Sequence, residues 1–177
     1  DFRHRVEADC TEAASRLEEY LGKKFNGPMA FEVSTPEEIG QLFRRTMKAP
    51  QDFLKTMQRI SERFHLVPPG YDIAAKQLEM LGTVAGVFDP DTDRLYVVEA
   101  RHGGSDEQLR VTIAHELVHA YRDVDKDYCA RAHRLSLTNS DEAEALNFLI
   151  EGDATLLGYA IGYTTGGESI DSVAKLL

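Results

Sequence analysis

At 177 residues the chain has room for one domain with a buried core, and 42% hydrophobic against 28% charged residues is ordinary for a soluble globular fold. A net charge of −10 leaves no basic stripe of the kind that nucleic acid or an anionic membrane surface requires, and no apolar run reaches the roughly 18–20 residues of a membrane span. The chain opens on Asp1 without a charged-then-apolar leader, as a processed product or an excised domain would, which favours an extracytoplasmic or cell-envelope location.

Residues 5–21 place Val6, Cys10, Ala13, Ala14 and Leu17 at helical spacing before Gly22, predicting an amphipathic opening helix. Asn26-Gly27-Pro28 breaks the chain, and the alternation of Met29-Ala30-Phe31-Glu32-Val33 predicts a short strand. Thr35-Pro36-Glu37-Glu38 then offers an N-cap, a first-turn proline and a capping-box glutamate, starting a helix to about Met47 that Pro50 ends. From Gln51 to about His65, Phe53, Leu54, Met57, Ile60 and Phe64 share one side of a further helix, closed by Pro68-Pro69-Gly70. Glu62-x-x-His65 in that helix reads as a solvated pair. Tyr71 to Leu81 forms another short helix, so residues 1–81 make a mainly helical N-terminal part.

Residues 82–177 begin with two β-rich runs, Thr83–Phe88 and Arg94–Glu99, joined by Asp89-Pro90-Asp91-Thr92-Asp93 as a hairpin. The aspartates mimic a calcium loop, but Arg94 stands where such a loop needs glycine and Ala100 where it needs a bidentate glutamate, so the stretch is a turn. His102 reads as a loop residue. The hairpin leads directly into the next helix, which places a strand edge near it, where an extended peptide could add by strand pairing.

That helix carries Thr112-Ile113-Ala114-His115-Glu116-Leu117-Val118-His119-Ala120-Tyr121 after a capped start at Ser105 and Gln108. His115 and His119 lie about 40° apart around the axis, with Cβ atoms about 5–6 Å apart, so both imidazoles reach one metal. Glu116 lies farther round, off the metal but near enough to meet a water held there, which is general-base geometry. Val111, Ile113, Leu117, Val118 and Ala120 cover the rest of the circumference, as on a helix buried with one polar seam. The segment from Arg122 to Asp127 is polar and is expected to leave the helix, and Tyr128–Leu137 is a helical or irregular link. Cys10 and Cys129 are too few for a disulfide scaffold and fit one bridge or, by preference, two buried thiols. Cys129 and His133, four apart, read as packing rather than as a metal pair.

A catalytic zinc takes three protein ligands plus an exchangeable water, so a third must come from elsewhere. On the long helix from about Ser140 to Gly158, Glu144, Asn147, Glu151 and Thr155 fall on one face, and either glutamate could serve. Glu151 is preferred because Gly152 beside it would let two helices approach closely, and because Leu149, Ile150, Ala154 and Leu156 suggest burial.

His115-Glu116-Leu117-Val118-His119 followed by Glu151-Gly152-Asp153-Ala154-Thr155 resembles the gluzincin class of zinc metallopeptidases. The likeness is to small bacterial and archaeal members in which a Gly-x-x-Asp-Pro strand pair precedes His-Glu-x-x-His-Ala, and it runs from about Gly82 to Thr165. It implies an α+β, zincin-like fold with a small sheet whose edge strand lies beside the active-site helix; it says nothing direct about residues 1–81, and the single domain over 1–177 is expected from chain length. It also implies one Zn²⁺ per chain held by His115, His119 and Glu151, Glu116 as catalytic base, and a peptide or protein as substrate. Asp153 or Thr155 would orient an imidazole. Tyr163, Tyr159 and His133 are the candidates to stabilise an oxyanion, each reading first as structural. Two rivals remain: a zincin-fold binding or scaffolding module without activity, and a helical di-iron carboxylate protein built on Glu116-x-x-His119 and Glu62-x-x-His65.

Overall fold

A chain whose apolar residues recur every three to four positions buries them by packing helices, and the computed structural model is built mainly of helix with one small sheet. It describes residues 1–24, 30–46, 51–81, 83–102, 105–136 and 138–165, without the side chains of 46, 51–54, 77, 78, 81, 125, 126, 129, 130, 133 and 165. The expected breaks at Asn26-Gly27-Pro28 and Pro50, and the side chains of Cys129 and His133, therefore lie outside the described residues.

In chain order the elements are α1 (Phe2–Leu21), β1 (Ala30–Ser34), α2 (Pro36–Thr46), α3 (Gln51–Arg63), α4 (Ile73–Leu81), β2 (Gly86–Asp89), β3 (Arg94–Val98), α5 (Asp106–Lys126), α6 (Tyr128–Ser136) and α7 (Ser140–Thr165). The fold is thus α+β. No described helix is long and apolar enough to cross a membrane. The chain divides into two compact units, Asp1–Val33 with Ala85–Leu177, and Ser34–Val84.

In the first unit α1 starts at Phe2, three residues before the expected boundary, because the Asp1 carboxylate caps it by accepting from the Arg3 N–H at 3.0 Å. Gly22 ends it in the left-handed conformation, φ 66°, its N–H returning to the Glu18 carbonyl. The buried stripe of Phe2, Val6, Cys10, Ala13 and Leu17 joins Leu109, Ile113, Leu117 and Tyr121 of α5, Leu95 and Val97 of β3, and Ala154, Leu157 and Ile161 of α7 in one core. Cys10 is a free thiol, pushed up to about 12 by burial and by the charge of Asp9.

The sheet runs β1-β3-β2. β2 and β3 form an antiparallel hairpin, and the Asp89 carboxylate shapes its turn by accepting from the Asp91 N–H and the Thr92 hydroxyl. Asp89 spends its oxygens on this turn, as expected of a hairpin rather than a calcium loop. β2 therefore lies at an edge, and it packs against α5.

His102 follows the short 3-10 turn Glu99–Arg101 and is 5% exposed. Its Nε2–H donates to the Ala85 carbonyl at 3.1 Å, and its ring stacks on Phe2. Burial pushes its pKa below the usual histidine value, against the pull of the Ala85 carbonyl. Protons then bind the unfolded chain more readily than the folded one. The resulting stability is complete above the unfolded pKa of about 6.5 and is lost as pH falls below it. A His102→Gln variant, whose amide can still donate to Ala85, should gain on wild type in melting temperature as pH drops from 7 to 5. A difference that stays constant over that range would refute this.

In the second unit the Thr35 hydroxyl accepts from the Glu38 N–H at 3.2 Å and the Glu38 carboxylate from the Thr35 N–H at 2.8 Å, the reciprocal capping box that the sequence predicts for α2. α4 packs against both α2 and α3. Glu62 and His65 part company: Glu62 accepts from the Gly70 N–H and the Gln58 amide, while His65 is exposed at φ 55°.

Two helices outrun the sequence reading. α5 does not leave at Arg122 but continues to Lys126, where Asp127 closes it at φ 52°. α7 does not stop near Gly158 but runs to Thr165.

Candidate metal centre

Ser105 caps α5 by accepting from the Gln108 N–H at 3.2 Å, and buried Leu109, Ile113, Leu117, Val118 and Tyr121 seal the helix into the core. What remains is a polar seam of His115, Glu116 and His119. The imidazole Nε2 atoms lie 3.0 Å apart, with the rings edge to face.

α7 lies antiparallel along α5, Gly158 level with His115 and Gly162 level with Val111. A Cβ on Gly158 would come 3.0 Å from the His115 Cα, and one on Gly162 would come 2.7 Å from the Val111 Cα. Ala154, fully buried, continues the stripe one turn earlier. Small residues every four positions thus allow backbone-to-backbone approach. Gly152, which the sequence reading credits with this role, has nothing within 4 Å of its Cβ direction. The substitutions should part accordingly: Gly152→Ala should stabilise by about 0.5–1 kcal/mol through helix propensity, whereas Gly162→Ala should destabilise by about 1–3 kcal/mol through overpacking. Denaturant midpoints measure both, and equal shifts would discard the close-approach account.

The approach brings Glu151 to the histidines. Its Oε2 lies 3.4 Å from the His115 Nε2 and its Oε1 lies 3.7 Å from the His119 Nε2. Among the described residues, these three form the one group of His, Cys, Asp or Glu that could hold a metal ion. A divalent ion bonded tetrahedrally at about 2.0–2.2 Å sets neighbouring donor atoms about 3.3–3.6 Å apart, which these separations approach. The histidine side chains are 24% and 15% exposed and Glu151 is 63% exposed, so the group is walled on the α5 side and open on the Glu151 side. Burial therefore did not mark Glu151 out: Leu149 and Leu156 around it are also exposed.

Glu116 takes a separate position. Its Oε2 accepts from the Phe88 N–H at 2.9 Å, on edge strand β2. Gly86 makes room, since a Cβ there would lie 2.7 Å from the Thr112 methyl and 3.2 Å from the Glu116 Cγ. Burial pushes the Glu116 carboxyl up to about 7, against the charge of His115 and the Phe88 N–H.

The donors are electrostatically graded. For His115, burial pulls the pKa down, but the hydrogen bond with Glu151 and the charges of Glu116 and Glu151 outweigh it and carry it up. His119 is held down by burial and by the charge of His115. Glu151 is lowered by its hydrogen bond with His115. A metal ion binds the deprotonated forms of such ligands, so affinity at a group of two imidazoles and a carboxylate rises with pH as their protons leave.

The remaining candidates sit outside this group. Asp153 accepts from the Arg122 Nε at 2.6 Å and so ties α7 to the last turns of α5, rather than bonding directly to an imidazole. Thr155 is exposed. Tyr159 and Tyr163 stack on each other at 6.0 Å. Residues the motif does not name prove to matter: Gly86 and Phe88, which seat Glu116, and Arg122, Gly158 and Gly162, which set the α5–α7 register. The Ala154-x-x-x-Gly158-x-x-x-Gly162 spacing was the available signal for the last two.

A scan against protein-family models found no matching family, and searches of curated proteins and of solved structures found no match to the chain.

Proposed function

We propose that this chain is a zinc-dependent peptidase of the zincin type, hydrolysing a peptide bond with Glu116 as general base. The observation that carries the reading is the pairing of an open His115-His119-Glu151 donor group with a buried carboxylate that the edge strand holds apart from it. A structural zinc is enclosed by four ligands, whereas a catalytic one keeps a position for exchange, and the exposed Glu151 side leaves that position reachable. The donor set of two imidazoles and one carboxylate suits zinc.

When bound there, zinc would polarise the scissile carbonyl and bring the pKa of water to about 7. Glu116 takes the proton of the attacking water and delivers it to the departing amine nitrogen, so no covalent intermediate forms. Burial raises the Glu116 pKa without metal, and a bound cation nearby would favour the ionised form that accepts the proton. The Phe88 N–H occupies Oε2 and leaves Oε1 as the oxygen that would take the proton. Substrate would lie along β2. In an antiparallel ladder the outward-facing residues alternate. The Val98 N–H donates to the Ala85 carbonyl, which turns Ala85, Val87 and Asp89 toward β3, and Gly86 and Phe88 toward the margin where Glu116 bonds. Their remaining backbone groups are the ones an extended peptide would pair with.

Digestion of a broad peptide library by the zinc-loaded chain tests this. Cleavage should stop on chelation and return with zinc. Persistent silence with zinc bound would sink the proposal in favour of a non-catalytic binding module.

A further inference from the structure

Within the unit Ser34–Val84 a cleft of about 660 Å³ opens between α3 and the loop that enters α4. That volume lies in the range of small-molecule sites. Its frame is bonded together rather than merely apposed. The Gln58 amide donates to the Tyr71 carbonyl and to Glu62, and its oxygen accepts from the Ile73 N–H at 3.1 Å. Glu62 in turn accepts from the Gly70 N–H, and Gly70 holds a φ of 78° that glycine adopts freely. Two side chains of one helix thereby pin the loop at Gly70, Tyr71 and Ile73, which shapes the site before any ligand arrives.

The lining has a definite chemistry. Lys55 and Arg59 stand one helical turn apart on the same face of α3. Neither makes an ion pair among the described residues, in a chain of net charge −10 that carries 30 acidic residues. Tyr71 and Ala74 supply apolar wall. The acid in the lining, Asp72, accepts from the Ala75 N–H at 2.9 Å and so caps α4. Two like charges placed side by side, unanswered in an acidic molecule and set over an apolar wall, want an anion attached to an apolar body.

We propose that this cleft binds a small organic anion, its carboxylate or phosphate group held by Lys55 and Arg59 and its apolar part laid against Tyr71 and Ala74. The site lies wholly in one unit and does not depend on the metal centre.

Titration of the full chain without added metal tests it, followed through the backbone amide resonances of Gly70, Tyr71 and Ala74 and the Gln58 side-chain amide. The probes are 3-phenylpropionate, 3-phenylpropyl phosphate, the uncharged 3-phenylpropionamide and inorganic phosphate. The proposal expects saturable shifts with either aromatic anion, at least tenfold weaker binding of the amide and of inorganic phosphate, and at least tenfold loss for the aromatic anions in Lys55→Gln/Arg59→Gln. The better of the two aromatic anions identifies the head group. Equal binding of acid and amide, equal binding of inorganic phosphate, an unchanged double variant, or no saturable shift with either aromatic anion would each overturn it. The double variant changes only exposed side chains, and its amide spectrum reports directly whether the fold is retained.

Discussion

If the proposed function holds, replacing Glu116 by Gln should leave zinc bound and lower peptide turnover by on the order of 10²–10⁴-fold, the usual contribution of a positioned general base. The structure makes this a clean substitution. The amide oxygen of Gln can still accept from the Phe88 N–H, so the edge strand keeps its anchor on α5. No metal donor is lost, since His115, His119 and Glu151 are untouched. The fold should not suffer either. The carboxyl is buried deeply enough for its pKa to rise to about 7, and an uncharged isostere removes the cost of keeping an ion there. Zinc stoichiometry by elemental analysis, kcat/KM on a cleaved library peptide and the melting temperature should therefore dissociate: full metal, little turnover, undiminished stability. Glu116→Ala is the contrasting case. It strands the Phe88 N–H, and such an unpaired buried donor costs about 1–3 kcal/mol. Turnover within threefold of wild type in Glu116→Gln would remove this carboxylate from the reaction.

How much of this was legible beforehand follows from which forces are local. The helix positions of α1, α2 and α3 are written in apolar spacing and in caps such as Thr35 and Glu38, which act within a few residues. The hairpin is written in Asp89-Pro90-Asp91-Thr92-Asp93 for the same reason. The two histidines share a face by helix geometry alone. What escaped is tertiary. Polar Arg122 looked like an exit from the helix, yet it is retained by an ion pair with Asp153, 31 residues away. Gly158 looked like a stop, yet it lies inside α7 because the His115 backbone takes the place of its side chain. Glu151 emerged from the sequence for reasons that the structure replaces. Neither burial nor Gly152 delivers it to the histidines. The register set by Ala154, Gly158 and Gly162, together with the Arg122–Asp153 pair, does.

That register makes Glu151→Ala the substitution with the largest expected effect on metal affinity. Partners that only orient a ligand are worth about 10–100-fold in affinity, so loss of the sole carboxylate in the donor group should exceed that. Asp153→Asn, which weakens the tie to Arg122 and keeps the donors, should fall within it. The loss should also be specific. Glu151 is 63% exposed, so truncating it sacrifices little packing, and the metal-free variant should melt within about 0.5 kcal/mol of wild type. Added zinc separates the two chains. A ligand at 1,000 times its Kd stabilises the native state by about 4 kcal/mol, and an affinity loss beyond 100-fold removes most of that gain in Glu151→Ala while wild type keeps it. Charge rather than size should govern the effect. The carboxylate carries His115 upward in pKa and supplies the negative charge that a cation between two imidazoles needs, so Glu151→Gln should resemble alanine more than wild type. Full zinc occupancy and an undiminished thermal shift in Glu151→Ala would show that the third ligand lies elsewhere in the chain.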